Sequence, residues 1–395
     1  MKNKGWKFKG NERKYLDDVL ESGFGATETG SMNERLEKKF AETHKQKFAI
    51  TANSGTSTLH MALNACNIKS GDEVIIPSLT VAMCGFAVWQ SGAKPIYADV
   101  LEDTFLIDPE DIQKKISEKT KAIMPVHMYG NMCNMKKIME IANEKDIFVI
   151  EDSAECFLAS DDQGQIAGSV GHIGSWSFES TKHITSNEGG ILTTNDEELA
   201  RKMRQFGGVG FKNITAESGK VRISREKFQD PNWERHNMLG YNYRLSELCA
   251  AVALAQLERI EDFVELRQKM GHEYERILKD SKLFTPQKIQ NGYTNSFWTY
   301  AARFNGENFG IKWQDFRKKY ISFGGDGIYA AHQLVYNEPC FKENNMGDGK
   351  TPIAEKLQKQ MMLFTTNQKD EEEREEQINA LKKTLDFFNM ETQLT

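Results

Sequence analysis

The chain has 395 residues, of which 39% are hydrophobic and 27% charged, and a formal net charge of -6. That length accommodates two domains, or one large α/β domain with a smaller appendage. The acidic balance gives no electrostatic reason for binding nucleic acid or an anionic membrane, and no apolar run reaches the roughly 18 residues of a membrane span.

The opening MKNKGWKFKGNERKYL is basic but lacks the apolar core and small-residue cleavage site of a signal peptide. Six cysteines (Cys66, Cys84, Cys133, Cys156, Cys249 and Cys340) are scattered without a C-x-x-C pair. They read as reduced thiols rather than a disulfide framework or a zinc site, and the chain as a cytoplasmic enzyme.

From the N-terminal side, helical STLHMALNAC (Ser57–Cys66) precedes the β-branched runs EVIIP (Glu73–Pro77) and KPIYADV (Lys94–Val100). KAIMPVHMYG (Lys121–Gly130), helical MKKIMEIANEK (Met135–Lys145), DIFVIEDS (Asp146–Ser153) and amphipathic EELARKMRQF (Glu197–Phe206) continue the alternation. Strands apolar on both faces and separated by helices predict a mostly parallel sheet flanked by helices, with ligands beyond the strands' carboxyl ends. After GGVGF (Gly207–Phe211), the polar stretch from Lys212 to about Arg235 reads as a long loop or hairpin. A strong helix is expected from about Ser246 past Val264, and a last one from near Asp370, whose acidic start suits the helix dipole. The expected division is a large domain over 1–255 and a smaller α+β domain over 256–395.

Three features fall at the expected strand ends. In TANSGTSTLH (Thr51–His60), a small-residue turn enters a helix. The free N–H groups there suit an anion such as a phosphate at Gly55 and Thr56, although Ser54 or Thr56 could simply cap the helix. In FVIEDSAE (Phe148–Glu155), Asp152 ends an apolar strand, either as a helix cap or surface acid or as the partner of a cation. No His or acidic cluster with metal-ligand spacing lies nearby, so a metal is not expected. In SFESTKHITSNEGG (Ser177–Gly190), Lys182 alone would read as an ordinary solvated lysine. An anion turn, a strand-end Asp, then a Ser and a Lys together match the needs of pyridoxal 5′-phosphate: phosphate donors, a carboxylate for the ring nitrogen, and an amine for the aldehyde.

With these residues in view, the chain resembles the DegT/DnrJ/EryC1/StrS sugar aminotransferases, including perosamine synthase-like members, from about residue 22 to 390. The resemblance is carried by NSGTSTL (Asn53–Leu59), GDEVIIPSLT (Gly71–Thr80) and TKAIMPVHMYG (Thr120–Gly130), then by IEDSAE (Ile150–Glu155), the Lys182 segment and LGYNYRLSELCAA (Leu239–Ala251). It implies fold type I, the architecture of aspartate aminotransferase, with pyridoxal 5′-phosphate as cofactor. It also implies Lys182 as the lysine of the internal aldimine and the proton carrier, Asp152 as the acid on the pyridine nitrogen, and Gly55, Thr56 and Ser177 as phosphate ligands. Asn242 corresponds to the asparagine that reaches the phosphate from a neighbouring subunit, which implies a homodimer with shared active sites.

Several positions depart from the family's commonest pattern. Val81 stands where an aromatic often stacks on the ring, leaving aliphatic stacking or another side chain such as Phe86. Glu155 replaces the usual Gln or His beside the phenolic oxygen, where two ionised groups would repel, so it is expected to be protonated or turned away. Asn187 replaces a frequent glycine and tolerates left-handed backbone.

The implied reaction moves an amino group from L-glutamate to a nucleotide-linked keto-deoxy sugar, in deoxyamino sugar and polysaccharide biosynthesis. KHIT (Lys182–Thr185) leans to amination at C-4 rather than C-3. His236 and His332 are candidate substrate contacts, with plain packing as the alternative, and Arg244 is a candidate interface residue. The residues do not distinguish GDP, UDP, dTDP and CDP. A related sugar 3-dehydratase would carry histidine in place of Lys182, and a catalytically silent regulatory protein would have no use for Lys182, Asp152 and Ser177 together.

Overall fold

The computed structural model describes residues 4–26, 30–219 and 223–393. Seven strands form the larger sheet: β1 (Phe48–Ala52), β2 (Glu73–Pro77), β3 (Lys94–Ala98), β4 (Thr120–Ile123), β5 (Phe148–Asp152), β6 (Ile173–Ser177) and β7 (Gly190–Thr194), in the order β1-β7-β6-β5-β4-β2-β3. Pairing is parallel from β3 through β6, while β7 runs antiparallel to both β6 and β1. Every residue of β6 and β7 is buried, as expected for a sheet covered on both faces. The helices that interleave these strands, Gly55–Ala65, Ala82–Gln90, Met135–Lys145 and Glu197–Gly207 among them, contribute to its main core.

A second, antiparallel sheet is formed by β8 (Phe284–Pro286), β9 (Thr299–Phe304), β10 (Ile328–Ala330) and β11 (Met361–Thr365), in the order β10-β11-β9-β8. It has its own aromatic-rich core, closed by the terminal helix Glu371–Gln393 through Leu381, Leu385 and Phe388. The molecule is therefore an α/β fold with a smaller α+β domain at the C-terminal side, the fold type I arrangement.

Two elements differ from their expected extents. The run KAIMPVHMYG stays extended only over β4, and a 3-10 turn at Met128–Gly130 follows, with Tyr129 at φ 68°. The helix expected from Ser246 past Val264 divides into Glu247–Leu257 and Ile260–Leu278. At the break, Glu258 accepts hydrogen bonds from Tyr15 Oη (2.6 Å) and Asn11 Nδ2 (2.7 Å), and Arg259 donates to the Lys7 carbonyl (3.1 Å). Tertiary partners, with no Pro or Gly signal, set this break; residue 255 falls in the last turn before it.

The polar stretch after Phe211 is a loop on a two-stranded stem. Val209 donates to Tyr241, Lys212 to Arg235 and Asn237 to Gly210. A short helix, Arg225–Gln229, lies within the loop.

Candidate functional site

The strand register gathers Asp152, Ser177, the SGTS turn and the Lys182 loop at the end of the larger sheet where β1, β5 and β6 finish. Ala52 at the end of β1 pairs with Gly190, which also pairs with Ser177 at the end of β6. Asp152 ends β5 opposite Ser175. The antiparallel β7 starts from that same end, so Lys182 sits in a loop anchored there on both sides.

At the anion end, Ser54 caps the helix Gly55–Ala65 by accepting from Ser57 N (3.1 Å), and its carbonyl accepts from Thr58 N. The helix start leaves the Gly55 and Thr56 N–H groups without an intrahelical acceptor. A Cβ on Gly55 would lie 2.9 Å from the Ser177 Cβ, so glycine is what lets the turn approach that hydroxyl. Ser54 thus caps the helix, and the Gly55 and Thr56 N–H groups remain available beside Ser177.

Asp152 is buried. Its Oδ1 accepts from Ala154 N (3.0 Å) and its Oδ2 from the Cys84 thiol (3.2 Å). Burial raises its pKa, while those two donors and the nearby Lys182 pull it down. Among the described residues no cation stands within ion-pair distance of this carboxylate.

Lys182 is held by side chains from distant parts of the chain. Its Nζ lies 3.3 Å from Glu155 Oε1 and 4.6 Å from the centre of the Trp298 ring, and the side chain is 12% exposed. Glu155 is buried and its other oxygen accepts from Tyr129 N (3.1 Å), which the positive φ of Tyr129 presents. The carboxylate is thus turned toward the lysine.

The preceding carbonyl, Thr181 O, accepts from Trp298 Nε1 (3.0 Å) and from Arg267 Nη2 (3.1 Å). Lys7 Nζ reaches the Lys182 carbonyl at 3.4 Å. Arg267 is itself buried, which brings its pKa down to about 10. Trp298, Arg267, Lys7 and Cys84 carry no motif of their own, and Tyr129 stands out only as part of the TKAIMPVHMYG run; the fold reveals their contacts here.

Within the loop, the side chains of ESTKHITSNE bond to one another and to the loop's own backbone. Glu179 accepts from Thr181 N (2.9 Å) and Thr181 Oγ1 (2.6 Å), and Thr185 Oγ1 donates to Phe178 O (2.9 Å). Asn187 adopts φ 74°, the left-handed conformation expected of it. His183 points into the core, with Nε2 2.9 Å from Ser296 O, and burial followed by the charge of Arg267 pushes its pKa well below the usual range.

Other singled residues lie further from this cluster. Val81 is the half-buried residue before the helix Ala82–Gln90, and the Phe86 ring stacks on Phe341 at 5.1 Å. Asn242 is exposed on the stem, next to Tyr243, whose carbonyl accepts from Asn53 N (2.8 Å). Arg244 is exposed on the same segment. His236 is exposed on the stem, with Nδ1 2.8 Å from Val209 O and its ring over Phe211. His332 is exposed on the segment after β10, which docks by Val335 N on Ser78 O at the end of β2. Neither histidine shows a hydrogen bond or ion pair to Lys182, Asp152 or Ser177 among the described residues.

Residues 7–381 match the model of the DegT/DnrJ/EryC1/StrS aminotransferase family. The chain belongs to this family. It is 36% identical over 289 residues to the GDP-perosamine synthase of Escherichia coli O157:H7, covering 73% of this chain and 74% of that protein. It is 37% identical over 299 residues to the GDP-perosamine synthase of Caulobacter vibrioides, covering 74% of each. Among solved structures, the aminotransferase from Psychrobacter cryohalolentis superposes with a TM-score of 0.86 at 28% identity, covering 96% of both chains.

Proposed function

We propose that this family member is a pyridoxal 5′-phosphate-dependent aminotransferase that moves an amino group from L-glutamate to the C-4 keto group of a nucleotide-linked deoxy sugar. The observation that carries the reading is a nearly buried lysine amine held 3.3 Å from Glu155, at the end of the sheet that also bears Asp152, Ser177 and the SGTS turn. The residues fit the cofactor. Gly55 and Thr56 N–H with Ser177 Oγ would hold its phosphate, and Lys182 Nζ would hold it covalently. Asp152, a buried acid with only neutral hydrogen-bond donors, would take its ring N–H. When bound, that ring supplies an electron sink for the carbanion character that develops at a substrate carbon.

The chain's own groups supply the rest. Lys182 Nζ, free of its covalent link once the amino donor is bound, would take the proton from Cα of that donor and carry it to the next carbon that needs it. Glu155 orients that nitrogen, its own position fixed by Tyr129 N. The Trp298 ring packs over the amine and shields it in part from solvent. The nucleotide-sugar acceptor is supported by the GDP-perosamine synthases, and C-4 by the KHIT segment. Val81 would give the ring an aliphatic neighbour, His236 and His332 would contact the sugar nucleotide, and Asn242 would complete the phosphate site of a neighbouring subunit in a homodimer. A cytoplasmic setting suits these substrates, and among the described residues no helix is long and apolar enough to cross a membrane.

The test is a screen of 4-keto and 3-keto nucleotide sugars with L-glutamate, read by product mass. The expected result is a mass matching a 4-amino sugar, together with 2-oxoglutarate. A 3-amino product overturns the position, and conversion only with a different amino acid overturns the donor.

A further inference from the structure

Asp152 has two carboxylate oxygens and two protein donors, and one of those donors is unusual. Cys84 lies in the first turn of the helix Ala82–Gln90 and is fully buried. Its Sγ is 3.2 Å from Asp152 Oδ2, with Thr80 Oγ1 a further neighbour at 3.8 Å. Thr80 Oγ1 in turn faces Met128 Sδ at 3.5 Å. A thiol in such surroundings stays protonated: burial, and then the adjacent Asp152 charge, push its pKa well above the ordinary value. It has no route to becoming a thiolate nucleophile there. Toward Oδ2 it can act only as a donor, and its place in a helix's first turn adds a favourable dipole toward the carboxylate.

We propose that Cys84 is a positioning residue for the cofactor's ring: its S–H fixes the Asp152 carboxylate in the ionised form that accepts a hydrogen bond from the ring N–H while the proton stays on the ring nitrogen. This rests on the function proposed above. The other titratable groups acting on Asp152 are Lys182 and Glu155, which oppose one another. Beside the Ala154 N–H, the thiol is the side-chain hydrogen bond that favours the carboxylate form without adding a charge beside the ring. Removing it makes Asp152 a better competitor for the proton shared with the ring nitrogen. The ring then withdraws electrons less strongly, and the nitrogen joining the cofactor to Lys182 becomes more basic.

The experiment compares the protein, Cys84→Ala and Cys84→Ser, each loaded with pyridoxal 5′-phosphate, by titrating the visible absorption of the lysine-bound cofactor against pH. Loss of the donor in Cys84→Ala is expected to raise the midpoint by about one pH unit, and Cys84→Ser, which restores a donor, is expected to return most of it. A second measurement needs no cofactor. The infrared S–H stretch of the unloaded protein is expected to contain a component at lowered frequency that vanishes in Cys84→Ser and moves in Asp152→Asn. A Cys84→Ala titration with the unchanged midpoint overturns the inference and leaves the functional reading standing, as does a difference spectrum against Cys84→Ser that puts the Cys84 S–H stretch at the frequency of a free thiol. Failure of the unsubstituted protein to acquire the visible band overturns the functional reading itself.

Discussion

The anion end and the amine end of the site are built in opposite ways. At the anion end, the donors are backbone groups at the start of one helix, plus one hydroxyl that the β6–β7 register brings beside Gly55. At the amine end, Lys182 is placed by Glu155, Trp298, Arg267 and Lys7, whose positions in the chain lie up to 175 residues away. A backbone-made end tolerates most side-chain changes but no added bulk where the chain must come close. A side-chain-made end is open to substitution at several distant positions, each with its own partial effect.

If the two ends act independently, Lys182→Ala should remove one and spare the other. Activity is expected to fall by about a thousandfold or more, with no adduct after borohydride reduction. Cofactor is still expected to bind, without a covalent link, to within roughly tenfold of its usual affinity. A persistent reduced adduct would sink the assignment of Lys182, and complete loss of cofactor binding would join the two ends into one.

Gly55→Ala attacks the opposite end. The new methyl would stand 2.9 Å from the Ser177 Cβ, so the turn or the hydroxyl must shift. Cofactor affinity should fall by about tenfold while turnover per bound cofactor changes little. Equilibrium dialysis beside single-turnover rates separates the two quantities.

A smaller effect is expected for Trp298→Phe, which keeps a ring over Lys182 but removes the N–H donated to Thr181 O. The loss of one hydrogen bond of about 1 kcal/mol should lower turnover a few-fold and leave cofactor affinity unchanged. An affinity loss equal to that of Gly55→Ala would erase the distinction between the ends.

The subtlest expectation concerns pH. Burial raises the pKa of Asp152 in the unloaded protein, so the folded state binds that proton more tightly than the unfolded chain does. The contribution of this group is then most favourable below the unfolded carboxylate value and is lost as pH rises through the folded value. Unloaded Asp152→Asn should accordingly melt higher than the unloaded parent at neutral pH, while binding cofactor less well. Equal melting of the two unloaded proteins at neutral pH would show that the buried charge costs nothing there.

The same contrast governs what is legible in the sequence. The anion end is readable because its parts are local: a small-residue turn, a cap and a helix start stand together in SGTS. Asp152 is readable as the last residue of an apolar strand, and the left-handed Asn187 from its residue type. The amine end is only half readable. Lys182 stands out through its setting, whereas Trp298 and Arg267 have no spacing that ties them to it, because their contacts are made by folding. β6 and β7 are short, and IGSWS and GILTT lack a strong alternating pattern, since both faces are buried and glycine replaces side chains where strands pack closely. The helix break at Glu258 is silent for a related reason: its partners, Tyr15 and Asn11, belong to another element.

The antiparallel direction of β7 has a consequence for protein engineering. Residues 178–189 depart from Ser177 and return at its ladder partner Gly190, so the lysine loop is an insert between neighbouring strands, anchored in the core by Phe178, His183 and Ile184. The clamps from Arg267, Trp298 and Lys7 all grip main-chain carbonyls, at Thr181 and Lys182, which any residue would offer. A loop of equal length from a relative that keeps those three core side chains could therefore be transplanted as one cassette, with the receiving framework aligning its lysine.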